Sequence, residues 1–75
     1  MKIDELDRVA LACALPEFDL CPGDLGTVVH VYPSGKLYEV EFVSLDGRTI
    51  AVETLGIDQI RTVQANEVAA ARAFG

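Results

Sequence analysis

Short β-branched or aromatic runs, each closed by a proline- or glycine-centred turn, constrain this chain more than any other feature. Thr27-Val28-Val29-His30-Val31-Tyr32 stops at Pro33-Ser34-Gly35, Leu37 to Val43 stops at Asp46-Gly47, and Thr49 to Leu55 stops at Gly56. Runs of this kind fit a pleated, half-buried surface, and turn residues at this spacing favour hairpins over helices. Upstream, Val9 and Leu11 alternate with Arg8, Ala10 and Ala12 in a strand that begins near Leu6. Leu15-Pro16-Glu17-Phe18-Asp19 breaks that pattern into a loop, because proline removes a ladder donor. Cys21-Pro22-Gly23-Asp24 places proline and glycine where a type II turn needs a fixed φ and a positive φ. Gly56-Ile57-Asp58 reads as a one-turn connector, and Ile60-Arg61-Thr62-Val63 as a brief closing strand.

A chain of 75 residues has room for one core, so residues 1–75 are expected to form a single domain, with a mostly β barrel over 6–63. The charged first residues are expected to fray. From Asn66 to Phe74 the composition switches to helical propensity with Asn66 as the N-cap, which predicts a short C-terminal helix over 66–74. A helix so short is marginal by itself and has to pack on the barrel or on a partner.

Charge narrows the function classes. Twelve acidic residues against six basic ones give a formal charge of −6. Nucleic-acid modules display a basic stripe, because phosphate neutralisation drives their binding. Here Lys2, Arg8, Lys36, Arg48, Arg61 and Arg72 are scattered, which argues against nucleic acid and against an anionic membrane. A basic protein partner suits the charge better, and self-association stays open. No apolar run approaches a membrane span, and the start Met1-Lys2-Ile3-Asp4-Glu5 lacks a signal-peptide layout, so a cytoplasmic location is expected.

Nothing in the residues points to catalysis or to a cofactor. Cys13 and Cys21 with the single His30 are too few for a zinc site, and both thiols are expected to be reduced. Gly23-Asp24-Leu25-Gly26 lacks the spacing and lysine of a phosphate loop. Ser34 and Ser44 stand in turns without a nucleophile setting. His30 has no orienting neighbour in sequence and is expected to contact Tyr38, while Asp24 is expected to bond the amides of its own turn. The chain is read as a non-enzyme with no metal or cofactor.

Side-chain alternation has period two, so hairpin register decides which residues share a face. A two-residue loop at Asp46-Gly47 opposes Phe42 to Ala51 and Glu41 to Val52. A three-residue loop of Leu45, Asp46 and Gly47 opposes Phe42 to Ile50, Val40 to Val52, Tyr38 to Thr54 and Glu39 to Glu53. Hydrophobic burial selects the second, and the outer face then carries Glu39, Glu41 and Glu53. The same logic at Pro33-Ser34-Gly35 opposes Tyr32 to Lys36 and leaves Val29, Val31 and Leu37 outside, needing either a bulge or a cover. These six residues are the expected partner-binding set. The competing reading is a solvated acidic face that serves solubility.

Pro22-Gly23-Asp24-Leu25-Gly26-Thr27-Val28-Val29-His30-Val31-Tyr32 resembles the opening of SH3-like barrels of the KOW and translation-protein type. With Tyr38-Glu39-Val40-Glu41-Phe42, Asp46-Gly47-Arg48-Thr49 and Val52-Glu53-Thr54-Leu55, it resembles a small bacterial family known only as domain of unknown function four-nine-two-six. The resemblance implies a five-stranded SH3-like barrel and supplies no catalytic residues. It also suggests neighbours of toxin–antitoxin character. The leading expectation is a protein-interaction module, an adaptor or antitoxin-like partner of a neighbouring gene product. The alternatives are an RNA- or ribosome-associated KOW-like barrel and an accessory domain of a metalloenzyme maturation complex.

Overall fold

In the computed structural model, which describes residues 2–74, five antiparallel strands form one sheet. They are β1 (Arg8–Leu11), β2 (Leu25–Val31), β3 (Leu37–Val43), β4 (Thr49–Gly56) and β5 (Ile60–Thr62). The order β4-β3-β2-β1-β5 leaves β4 and β5 as edges. No helix is long and apolar enough to cross a membrane among the described residues.

The expected turns form for the expected reasons. Asp24 N–H donates to the Cys21 carbonyl at 3.0 Å with Gly23 at φ 93°, as a type II turn requires. Gly47 takes φ 88° in the β3–β4 loop, where Ser44 N–H donates to the Arg48 carbonyl at 2.9 Å across three intervening residues. Pro16–Phe18 form a single 3-10 turn inside the expected loop.

Beyond those turns the register differs from the expectation, through two bulges. In β4 the pairs Val43–Thr49 and Phe42–Ala51 leave Ile50 as an extra residue. A bulge sets two residues against one and keeps both on the same side. Ile50 and Ala51 therefore both face the core, and from Ala51 onward the strand is shifted by one position. Tyr38 opposes Leu55, Val40 opposes Glu53 and Glu39 opposes Thr54. These are the pairings of the shorter loop, reached with the longer one. Burial explains the shift. The bulged register puts Leu55 (2% exposed) inside, where the regular one would put Thr54.

A second bulge sits in β2. Tyr32 N–H donates to the Leu37 carbonyl at 3.0 Å, so the loop has four residues and Tyr32 does not oppose Lys36. His30 opposes Glu39 and Val28 opposes Val40, leaving Val29 as the extra residue. Val31 is thereby turned inward, half-buried against the core, while Val29 and Leu37 stay outside.

The core gathers Val9, Leu11, Leu20, Val28, Tyr38, Val40, Phe42, Ala51, Leu55 and Ile60. Gly26 is buried because β2 crosses this cluster closely; a Cβ there would stand 2.6 Å from Val40 Cγ1. Ile3 belongs to the same cluster at 4% exposed, so the N-terminal segment does not fray as expected. It is tied by Leu6 N–H to the Val28 carbonyl at 2.6 Å and by Val28 N–H to the Asp7 carbonyl at 2.9 Å.

The C-terminal helix is absent. Residues 63–74 are irregular apart from a turn in which Glu67 N–H donates to the Gln64 carbonyl at 3.1 Å. So short a segment gains too little from its own backbone bonds to nucleate. It is held by side chains instead: Glu67 pairs with Arg61 at 2.8 Å, and Arg72 with Asp24.

The bulged register makes opposite demands on neighbouring residues of β4. Leu55→Ala should lower the unfolding free energy by about 2–5 kcal/mol, whereas Val52→Ala (46% exposed) should shift it by less than about 1 kcal/mol. Urea denaturation of both variants checks this, and comparable losses would contradict the register.

Candidate functional site

Strand β3 buries Tyr38, Val40 and Phe42 on one face and presents Leu37, Glu39, Glu41 and Val43 on the other. This is the period-two alternation of a sheet with one side on the core. The flanking strands bring Thr27, Val29, His30 and Tyr32 on one side and Thr49, Val52 and Thr54 on the other. The result is an open three-strand face with two carboxylates at its centre.

Of the six residues expected there, four are on it: Glu39, Glu41, Val29 and Leu37. Val31 is turned to the core by the Val29 bulge. Glu53 stands on the core side, opposite Val40, and does not confront Glu39. Glu53 can occupy that side because β4 is an edge strand, from which a half-buried carboxylate still reaches water. An inward-facing charge on an edge also discourages another strand from pairing there.

Glu39 is the best-anchored group of the face. Its Oε1 accepts a hydrogen bond from the Tyr32 hydroxyl at 2.7 Å and another from the Thr54 hydroxyl. The Thr54 bond first and the Tyr32 bond second hold its carboxyl below the ordinary 4.5. Glu39 in turn pushes the Tyr32 phenol above its ordinary 10.0, chiefly by accepting its proton in that bond. Glu41 Oε2 accepts from the Thr49 hydroxyl at 2.9 Å. His30 does not touch Tyr38 as expected. Its ring stands edge-on to Tyr32 at 5.0 Å, and Nδ1 lies 3.8 Å from Glu5 Oε1.

Among the described residues the Arg–carboxylate ion pairs are Arg48–Asp46, Arg61–Glu67 and Arg72–Asp24. Glu39 and Glu41 thus have hydroxyl partners and no lysine or arginine paired to them, with His30 opposite Glu39 across the strands. Around them Val29, Leu37, Val43 and Val52 are each 40–46% exposed. Two fixed anions within an apolar rim can receive a lysine or arginine together with the apolar stem of its side chain.

The other residues weighed from sequence lie elsewhere. Asp24 does bond its own turn, through Cys21 N–H to Oδ2 at 2.8 Å, and it also pairs with Arg72. Cys13 and Cys21 are free thiols. No group of three metal-ligating side chains occurs among the described residues. Sequence reasoning missed Tyr32 and Thr54 as the partners of Glu39, since both contacts depend on the two bulges.

A model of the family described as Domain of unknown function (DUF4926) matches residues 5–62. No curated protein and no solved structure matches the chain.

Because its folded-state pKa is depressed, the Glu39 network contributes stability above about pH 4.5, and that contribution is lost as pH falls below it. Carboxyl NMR titration should place the Glu39 midpoint under 4.5, and Tyr32→Phe should raise it. An unmoved midpoint in that variant would show that the phenol does not hold the carboxylate.

Proposed function

The chain belongs to the DUF4926 family, and we propose that it is a cytoplasmic, non-enzymatic interaction module whose open β2–β3–β4 face binds a basic segment of another protein. The strand order, with glycines at positive φ in the turns at Gly23, Gly35 and Gly47, supports reading the sheet as an SH3-like barrel. One observation carries the functional reading. Glu39 and Glu41 stand side by side on the outer face of one strand, held by hydroxyls, with no lysine or arginine among the described residues paired to either. A solvated face needs no such fixing, because freely rotating carboxylates serve solubility as well. Holding them in place removes part of the ordering cost that a partner would otherwise meet on binding.

The formal charge of −6 supports the same choice of partner. A phosphate backbone would be repelled by this face, so the KOW-like alternative rests on likeness of fold alone. An adaptor or antitoxin-like role beside a small basic protein fits a module of this size and charge.

The test combines capture with mapping. Tagged wild-type protein should retain a stoichiometric basic protein from its source cells. Glu39→Gln with Glu41→Lys should lose it by at least about tenfold in affinity, with an unchanged far-UV spectrum, because like charge at a complementary interface is strongly unfavourable. Amide shifts on adding the captured partner should cluster on Glu39, Glu41, Val52 and Thr54. Unchanged affinity in the double variant, or shifts confined to another surface, would overturn the proposal. Capture of RNA with salt-sensitive affinity would move the KOW-like reading ahead of it.

A further inference from the structure

One tie reaches across 48 positions of the chain, from Arg72 in the irregular C-terminal segment to Asp24 in the turn before β2. The Arg72 guanidinium donates from Nε to Asp24 Oδ1 at 3.1 Å and from Nη2 to Asp24 Oδ2. The same Nη2 donates to the Asp19 carbonyl at 2.7 Å. Both carboxylate oxygens are engaged in the forked geometry that guanidinium offers and ammonium does not.

The acceptor side of this contact is built into the folded domain. Asp24 is fixed by Cys21 N–H on its side chain at 2.8 Å and by Leu11 N–H on its carbonyl at 2.9 Å. Asp19 has a left-handed backbone, φ 56°, closing the 3-10 turn. Neither feature needs the C-terminal segment. The donor side is the opposite: residues 63–74 have no regular structure, and Arg61–Glu67 and Arg72–Asp24 tie them to the domain.

The guanidinium pairing lies in a groove whose walls combine Leu20, Leu25, Phe42 and Ile50 with the charged Arg8, Glu41, Asp46 and Arg48, and Ala69–Ala71 and Phe74 form its other side. About 730 Å³ lies between these walls, within the ~300–1,000 Å³ of small ligand sites. The terminal segment lines it with the small side chains of Ala69, Ala70 and Ala71, and Phe74 is 43% exposed. A preformed bidentate acceptor beside a groove of mixed apolar and polar walls, one of them an irregular terminal segment, is the arrangement of a site holding a replaceable ligand.

We propose that the Asp24–Asp19 groove is a docking site for an extended, arginine-bearing segment of a partner protein, and that residues 69–74 occupy it in cis until such a segment displaces them. The arginine is read by the Asp24 carboxylate and the Asp19 carbonyl, and the neighbouring side chains lie against Leu20, Leu25, Phe42 and Ile50. The groove shares Glu41 with the open face, but the proposal rests on Asp24. Asp24→Asn therefore separates it from the reading that rests on Glu39 and Glu41, and its test needs no cellular partner.

The probe is a fluorescently labelled peptide of residues 66–75, titrated into the full-length chain and followed by anisotropy. A cis occupant lowers apparent affinity by the fraction of time the groove is closed, so Arg72→Ala should bind the probe at least about tenfold more tightly than wild type. Adding Asp24→Asn to Arg72→Ala should remove that binding, and so should alanine in place of the probe's arginine. Circular dichroism of each variant confirms the fold. Equal affinity of wild type and Arg72→Ala, or binding indifferent to Asp24→Asn, would overturn the proposal. So would a concentration-dependent dimer of the wild type that disappears in Arg72→Ala, since it would give the groove to a second copy of this chain.

Discussion

Tyr38, Val40 and Phe42 lie on one side of β3, almost wholly out of water, and the neighbouring strands are arranged to cover them. Two residues per turn of the pleat is a rigid period, and neither β2 nor β4 has its apolar residues in a matching register. Each strand solves this by inserting one residue, Val29 in β2 and Ile50 in β4. The first bulge brings Val28 and Val31 to the same side although they are three positions apart. The second does the same for Ile50 and Leu55, five apart. Core burial on the inner face thereby decides the composition of the outer one.

The outer face is therefore a by-product with chemical content. Because β2 is bulged, Tyr32 stands where its hydroxyl reaches Glu39. Because β4 is bulged, Thr54 replaces Glu53 beside the same carboxylate and the two acids are kept on opposite sides of the sheet. What would have been a repulsive cross-strand pair becomes a hydrogen-bonded anion next to Glu41. The same displacement puts Glu53 at the edge, where it guards the unpaired side of β4 against strand addition.

The strands and the turns at Gly23 and Gly47 were legible because β-branched runs and positive-φ glycines act locally. Boundaries moved by one or two residues: β1 starts at Arg8 after a turn at Leu6, and the β2–β3 loop has four residues where three were expected. Gly23 and Gly47 needed nothing but their neighbours to be placed. The bulges were not legible, since a bulge is the global answer to a packing conflict. The β3–β4 loop length was read correctly, and the error entered two residues later at Ile50. Ile3 was lost among charged neighbours, because a single apolar residue carries no period. The alanine-rich segment misled for a related reason: propensity favours a helix there, but a short segment without an apolar stripe gains more from Arg61–Glu67 and Arg72–Asp24. As for function, the paired acids Glu39 and Glu41 were visible in the alternation of β3, whereas the Asp24 groove joins residues far apart in the chain.

Both proposed surfaces depend on the registers, so the most direct measurement is the cross-strand nuclear Overhauser pattern between β3 and β4. The bulged arrangement predicts Phe42 opposite Ala51, Glu39 opposite Thr54 and Tyr38 opposite Leu55. It also predicts Ile50 side-chain contacts to the core. Contacts of Phe42 with Ile50 and of Glu39 with Glu53 as directly opposed pairs would contradict it, and with it the composition assigned to the open face.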